Sequence, residues 1–157
     1  MGRLSDTSDY IVQMDVLDRE VCWRLIARTR FGRVGFVVDG RPGVLPVNCG
    51  VFNHQVVFRT GGETTLGAMS DGSPVVFETD HTDEVAESGW SVVVNGHLSR
   101  VTATDELTRR AEFELHPWAS GVKDRWMKII PTEVTGRTVS RHREPSAGVH
   151  VPYMPPD

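Results

Sequence analysis

The chain has 157 residues, 39% of them hydrophobic and 24% charged, with a formal net charge of −4. That is enough for one good core and too little for two ordinary domains, and it excludes a disordered chain. The scattered basic residues give no stripe that could displace counterions from phosphates, so no nucleic-acid partner is expected.

The ends read as loose. Residues 1–13 are taken as a flexible N-terminus, with a polar stretch over Gly2 to Asp9, and 141–157 as a tail containing Pro145, Pro152, Pro155 and Pro156. The folded part is expected over about 14–140. Within it, Leu17, Val21 and Leu25 recur at spacing four, with Ile26 widening the stripe, so a helix is expected at about 16–29.

After Gly32 the period changes to that of strands. Arg33 to Val38 reads as a strand, Asp39-Gly40 as a tight turn, and Val44 to Asn48 as a second strand, with Pro46 suggesting an edge or bulge. Asn53-His54 turns the chain into Val56 to Thr60. Gly61-Gly62 stops that strand, and Glu63 to Ser70 reads as a short helix. A strand over Pro74 to Thr79, a polar loop from Asp80 to Gly89 and a long strand from Trp90 to Thr104 follow. Asp105 to Leu115 is expected to be helical, broken by His116-Pro117-Trp118, and the last strands are expected at Trp126–Ile130 and Val134–Ser140. About seven antiparallel strands with two or three short helices point to a mainly β protein, a small closed or half-closed antiparallel barrel that hides its sheet edges.

No apolar run approaches the roughly 20 residues that a membrane helix needs, and no secretory h-region opens the chain, so a cytoplasmic protein without a membrane partner is expected. Cys22 and Cys49 read as buried free thiols. The six histidines show no ligand spacing, so no metal site is expected, and no P-loop, Rossmann fingerprint or nucleophile elbow occurs.

The chemically informative stretch is Pro46-Val47-Asn48, then Phe58-Arg59-Thr60, then Gly61-Gly62-Glu63-Thr64-Thr65-Leu66. Two glycines allow a tight turn where a strand meets a helix start. Thr60, Thr64 and Thr65 bring hydroxyls there, and Arg59 brings positive charge. Read locally, this is either a glycine turn with threonine caps or an anion-binding mouth.

The order GRVGFV, DG, LPVN, VVFRT, GWSVVV, RW and VTGR, spread over residues 15–139, resembles the pyridoxamine 5′-phosphate oxidase-like family of flavin-binding split barrels. The resemblance implies an FMN-dependent homodimeric oxidoreductase acting on a small molecule, with hydride transfer at the flavin N5. It implies that Pro46, Val47 and Asn48, with Phe58, Arg59 and Thr60, hold the ring edge largely through the main chain. Glu63, Thr64 and Thr65 would lie at the phosphate, and Trp126 would face the pocket from the other subunit. Catalytic residues stay unassigned, because no general acid or base stands out. Family members commonly carry lysine where this chain has Thr65 before Leu66, and a lost charge-assisted contact costs on the order of 1–3 kcal/mol. Arg59 is the candidate compensating cation. A non-catalytic dimer that binds haem or a deazaflavin is the alternative that this departure favours.

Overall fold

The computed structural model describes residues 10–102 and 125–143. The elements are β1 (Tyr10–Val16), α1 (Arg19–Thr29), β2 (Phe31–Val38), β3 (Arg41–Phe52), β4 (Gln55–Thr60), α2 (Thr65–Ala68), β5 (Pro74–Asp83), β6 (Ser88–Arg100) and β7 (Arg125–Arg143). All pairings are antiparallel, in the order β1-β7-β4-β3-β2-β5-β6, and β6 also pairs with β7. Six strands therefore close into a ring, and β1 is added outside it along β7. Closure removes the open edges that a sheet of this size would otherwise present.

The strand alternation is clean where it matters. Val34, Val47, Cys49, Phe58, Phe77, Val92, Val94, Met127 and Ile129 point inward into one core. Two hairpins turn on residues in the left-handed region, Asp39 and Gly40 at φ 50° and 71°, and Asn53 and His54 at φ 48° and 54°. Both are two-residue loops between paired residues, Val38–Arg41 and Phe52–Gln55, and this twist suits adjacent strands.

Helix α1 packs over β7 at Gly136, where a Cβ would lie 2.5 Å from Cys22 Sγ. Its buried face is Cys22, Trp23, Leu25 and Ile26; of the expected stripe, Val21 is only partly buried and Leu17 precedes the helix, and Arg30 closes the helix in the left-handed conformation at φ 54°. Trp23 stacks on His54 with ring centroids 5.4 Å apart, which ties the helix to the β3–β4 turn.

Several expected boundaries are corrected. Tyr10 to Gln13, expected within a flexible N-terminus, form strand with β7, pairing from Tyr10–Arg143 onward. The two expected C-terminal strands are one strand, β7, which runs on past residue 140 to Arg143. Pro131 does not end it, because the chain bulges there: Asn95 pairs with Glu133 while Gly96 pairs with Pro131, leaving Thr132 as the extra residue. The loop expected over Asp80 to Gly89 narrows to four residues, because Asp83 Oδ1 accepts from the N–H groups of Val85 and Ala86 and tightens the turn. Helix α2 is four residues long, shorter than the expected Glu63 to Ser70. The helix expected over Asp105 to Leu115, together with Trp118 and the tail from residue 144, lies outside the described residues.

Cys22 and Cys49 are buried free thiols. Burial pushes the Cys49 thiol up to about 12 and raises that of Cys22, where the Asp18 charge adds to burial and a backbone hydrogen bond opposes it. The folded state thus holds both protons more tightly than the unfolded chain. For Cys49 this contribution to stability is fully present below the ordinary thiol value of 9.0 and is lost as pH rises towards about 12, and that of Cys22 is lost in the same direction. At pH 8 a thiol reagent is expected to label neither cysteine in the native protein and both after denaturation. Rapid native labelling would contradict the burial of these groups.

Candidate functional site

The strand pleat divides the sequence-predicted residues into two sets. Val47 and Phe58 point into the core, and Thr60 is buried at its end. Asn48 and Arg59 flank the Cys49–Phe58 pair and project from the outer face, as does Pro46. Trp126 is opposite Arg59 in the β4–β7 ladder, and the guanidinium carbon of Arg59 lies 5.1 Å from the centre of its ring. Trp126 is buried in a small outer cluster with Val57, against which Phe52 and Val101 pack. Within one chain, then, the outer face carries Pro46, Asn48 and the Arg59–Trp126 pair. It does not carry the side chains of Val47, Phe58 or Thr60, which can serve an outer ligand only through their main chain.

The turn after β4 is held together internally. Thr64 Oγ1 donates to the Gly61 carbonyl at 2.7 Å and accepts from Gly67 N–H at 3.1 Å, capping α2. It also lies 2.6 Å from Thr60 Oγ1. A hydroxyl has one proton, and that of Thr64 goes to Gly61, so Thr60 is the donor in this contact. The Thr64 hydroxyl therefore has its donor and both acceptor positions engaged, which is the cap role read locally from the sequence. Glu63 and Thr65 are exposed on the rim of the turn.

Gly67 makes the turn possible. A Cβ there would lie 2.1 Å from the Gly61 carbonyl oxygen, so only glycine lets α2 fold back this closely.

One residue at this turn escapes a local reading of the sequence. Arg125 is the first residue of β7 and the ladder partner of Thr60. Its Nη1 donates to the Gly67 carbonyl at 2.6 Å, and a Cβ on Gly62 would lie 2.8 Å from its Nε. The guanidinium thus rests against Gly62 and brings a cation to the turn whose own sequence has none. Its signal was present but weak. Once Trp126 is placed on a strand, its neighbour must face the other way, towards the strand end that carries Gly61 and Gly62.

A second charged cluster lies away from this site. Arg33 on β2 reaches Glu78 and Asp80 on β5 at 3.2 and 3.1 Å. Burial raises the Glu78 carboxyl above its usual range, and the Asp80 charge adds to this while Arg33 opposes it. Two carboxylates sharing one arginine across neighbouring strands form an ordinary cross-strand ion pair. Among the described residues no group of three His, Cys, Asp or Glu is placed to hold a metal ion, and no helix is long and apolar enough to cross a membrane.

Comparison with known proteins places this architecture. The family model described as pyridoxamine 5′-phosphate oxidase matches residues 18–138. An uncharacterized protein of Mycobacterium tuberculosis, Rv0080, is 35% identical over 135 residues, spanning 82% of this chain and 88% of the relative. Among solved structures, the FAD binding protein from Mycobacterium smegmatis superposes with a TM-score of 0.67 at 33% identity, covering 80% of this chain and 99% of that one. The FAD and haem binding protein from the same organism shares the fold, with a TM-score of 0.59 at 14% identity over 92% of this chain and 89% of that one.

Proposed function

Because the chain belongs to the pyridoxamine 5′-phosphate oxidase family, we propose that it is a cytoplasmic, homodimeric oxidoreductase that binds a flavin nucleotide, FMN in the first instance, and acts on a small molecule. The observation that carries this reading is the likeness, over 80% of this chain and 99% of the other, to a protein described as FAD binding, at 33% identity. FMN and FAD share the ring and the first phosphate, so one site of this kind suits either.

The residues present fit such a group. The outer face of β3, β4 and β7 offers Pro46, Asn48 and the Arg59–Trp126 pair for a flat aromatic ring, with the main chain of Val47, Phe58 and Thr60 at its edge. The turn beside it brings Gly62, Arg125 and the rim residues Glu63 and Thr65. When bound, the flavin supplies hydride transfer at N5, and the protein's part is to hold the ring, tune it and exclude water. Asn48 and the main chain near Thr60 are the groups that can hold charge on a reduced ring.

A second copy of the chain completes the reading, because a ring lying on an outer sheet face needs a cover. A C2 dimer would bury the same patch twice and should exceed the roughly 1,000 Å² of a specific interface. Sedimentation as a stable monomer at micromolar concentration would remove it.

The alternative is a non-catalytic binder of haem or a deazaflavin, favoured by the fold shared with a protein described as binding both FAD and haem. The visible spectrum of freshly purified protein separates these readings. Flavin bands are expected, whereas a haem Soret band, or no colour together with no uptake of added flavin, would overturn the first reading. The oxidoreductase assignment further requires stopped-flow reduction of the bound flavin by a nicotinamide or deazaflavin donor faster than that of free FMN.

A further inference from the structure

The flavin reading leaves open what recognises the nucleotide's phosphate, and the turn's own groups do not answer it. The Thr60 and Thr64 hydroxyls are engaged with each other and with Gly61 and Gly67. Helix α2 has only four residues, too few to build a useful dipole. Thr65 is neutral, and Glu63 beside it carries the wrong sign for an anion. Arg59 is one residue away from Thr60, but its side chain leaves the strand on the opposite face and lies over Trp126.

Arg125 is different in each respect. It is the ladder partner of Thr60, and its guanidinium rests on Gly62 and donates to the Gly67 carbonyl. A guanidinium carries five N–H donors in a rigid fork, and this contact uses one of them. Among the described residues its charge is not neutralised by a carboxylate, since the ion pairs present involve Arg33, His54 and Arg141. The hydrogen bond to Gly67 fixes the fork at the mouth of the turn.

We propose that Arg125 is the residue through which this chain recognises the flavin's phosphate, with Gly62 kept small so that the guanidinium can lie against the turn. The inference rests on the flavin-binding reading. It makes Arg125 a specificity determinant for flavin nucleotides over riboflavin, and it assigns the charge expected from a lysine at position 65 to a residue on a strand distant in sequence.

The test compares FMN with riboflavin, which has the same ring and no phosphate, by fluorescence titration of the full chain. Wild-type protein is expected to prefer FMN. Arg125→Ala should weaken FMN binding about tenfold to a hundredfold while changing riboflavin binding less than about twofold. Arg59→Ala should weaken both ligands alike, because it lies with the ring-facing set. Gly62→Ala provides an independent variant should Arg125→Ala fold poorly. The nearest atoms its Cβ would meet belong to the flexible Arg125 side chain, from 2.8 Å, so the fold should persist while the preference for FMN falls. Equal loss of FMN and riboflavin affinity in the Arg125 and Gly62 variants, or no loss in either, would overturn the assignment. A wild-type protein that binds neither flavin would instead sink the flavin reading on which it rests.

Discussion

Gly67→Ala is expected to lower stability by about 3 kcal/mol and to abolish the shape of the turn after β4. The added Cβ would stand 2.1 Å from the Gly61 carbonyl oxygen and 3.0 Å from its carbon, and backbone atoms cannot rotate aside as a side chain can. Relief requires α2 to move away from Gly61, which breaks the Thr64 cap and takes away the carbonyl to which Arg125 donates. For a chain of this size the loss corresponds to a fall in Tm of roughly 6–12 °C, measurable by circular dichroism. Flavin binding should weaken with it. A variant with unchanged Tm would mean that the close approach of Gly67 to Gly61 is not a constraint on the folded protein.

Phe58→Ala should be costlier to the fold and uninformative about the ligand. Phe58 is fully buried in the barrel core, and truncating such a ring costs about 3–5 kcal/mol in lost transfer energy and cavity formation. The ring faces away from the outer surface, so the protein that remains folded at low temperature should bind FMN within a fewfold of wild type. Arg59→Ala, one residue along and on the other face, should show the reverse pattern of small destabilisation and a larger binding defect. If Phe58→Ala lost flavin binding while keeping its stability, the assignment of faces along β4 would be wrong.

These opposite expectations for adjacent residues show where the sequence was legible and where it was not. The turns at Asp39-Gly40 and Asn53-His54 could be read because each demands a left-handed backbone, which few residues adopt readily. The strands around them could be read from their alternation. Strand β1 could not, because most of it is exposed on both faces and it exists as a strand only through pairing with β7. The continuity of β7 was hidden by Pro131, which signals a break locally but sits at a bulge that needs no ladder hydrogen bond there.

The same limits apply to the site. Pro46, Val47 and Asn48 and the group Phe58, Arg59 and Thr60 lie on the neighbouring strands β3 and β4, but consecutive residues of a strand cannot all present side chains to one ligand. Thr64 was legible as a helix cap because the motif is local. Arg125 was not, since it meets the turn only through the β4–β7 register, 58 positions away from the Gly67 carbonyl that it holds. Arg59 is the nearer cation in sequence, but its side chain lies over Trp126 on the other face of the strand.

The most direct measurement is titration of purified, flavin-free protein with FMN, followed by quenching of flavin fluorescence, with FAD run in parallel. A flavin-binding split barrel predicts saturable quenching at one flavin per chain by at least one of the two nucleotides. Fluorescence unchanged by a large excess of protein, with FMN and FAD alike, would contradict it.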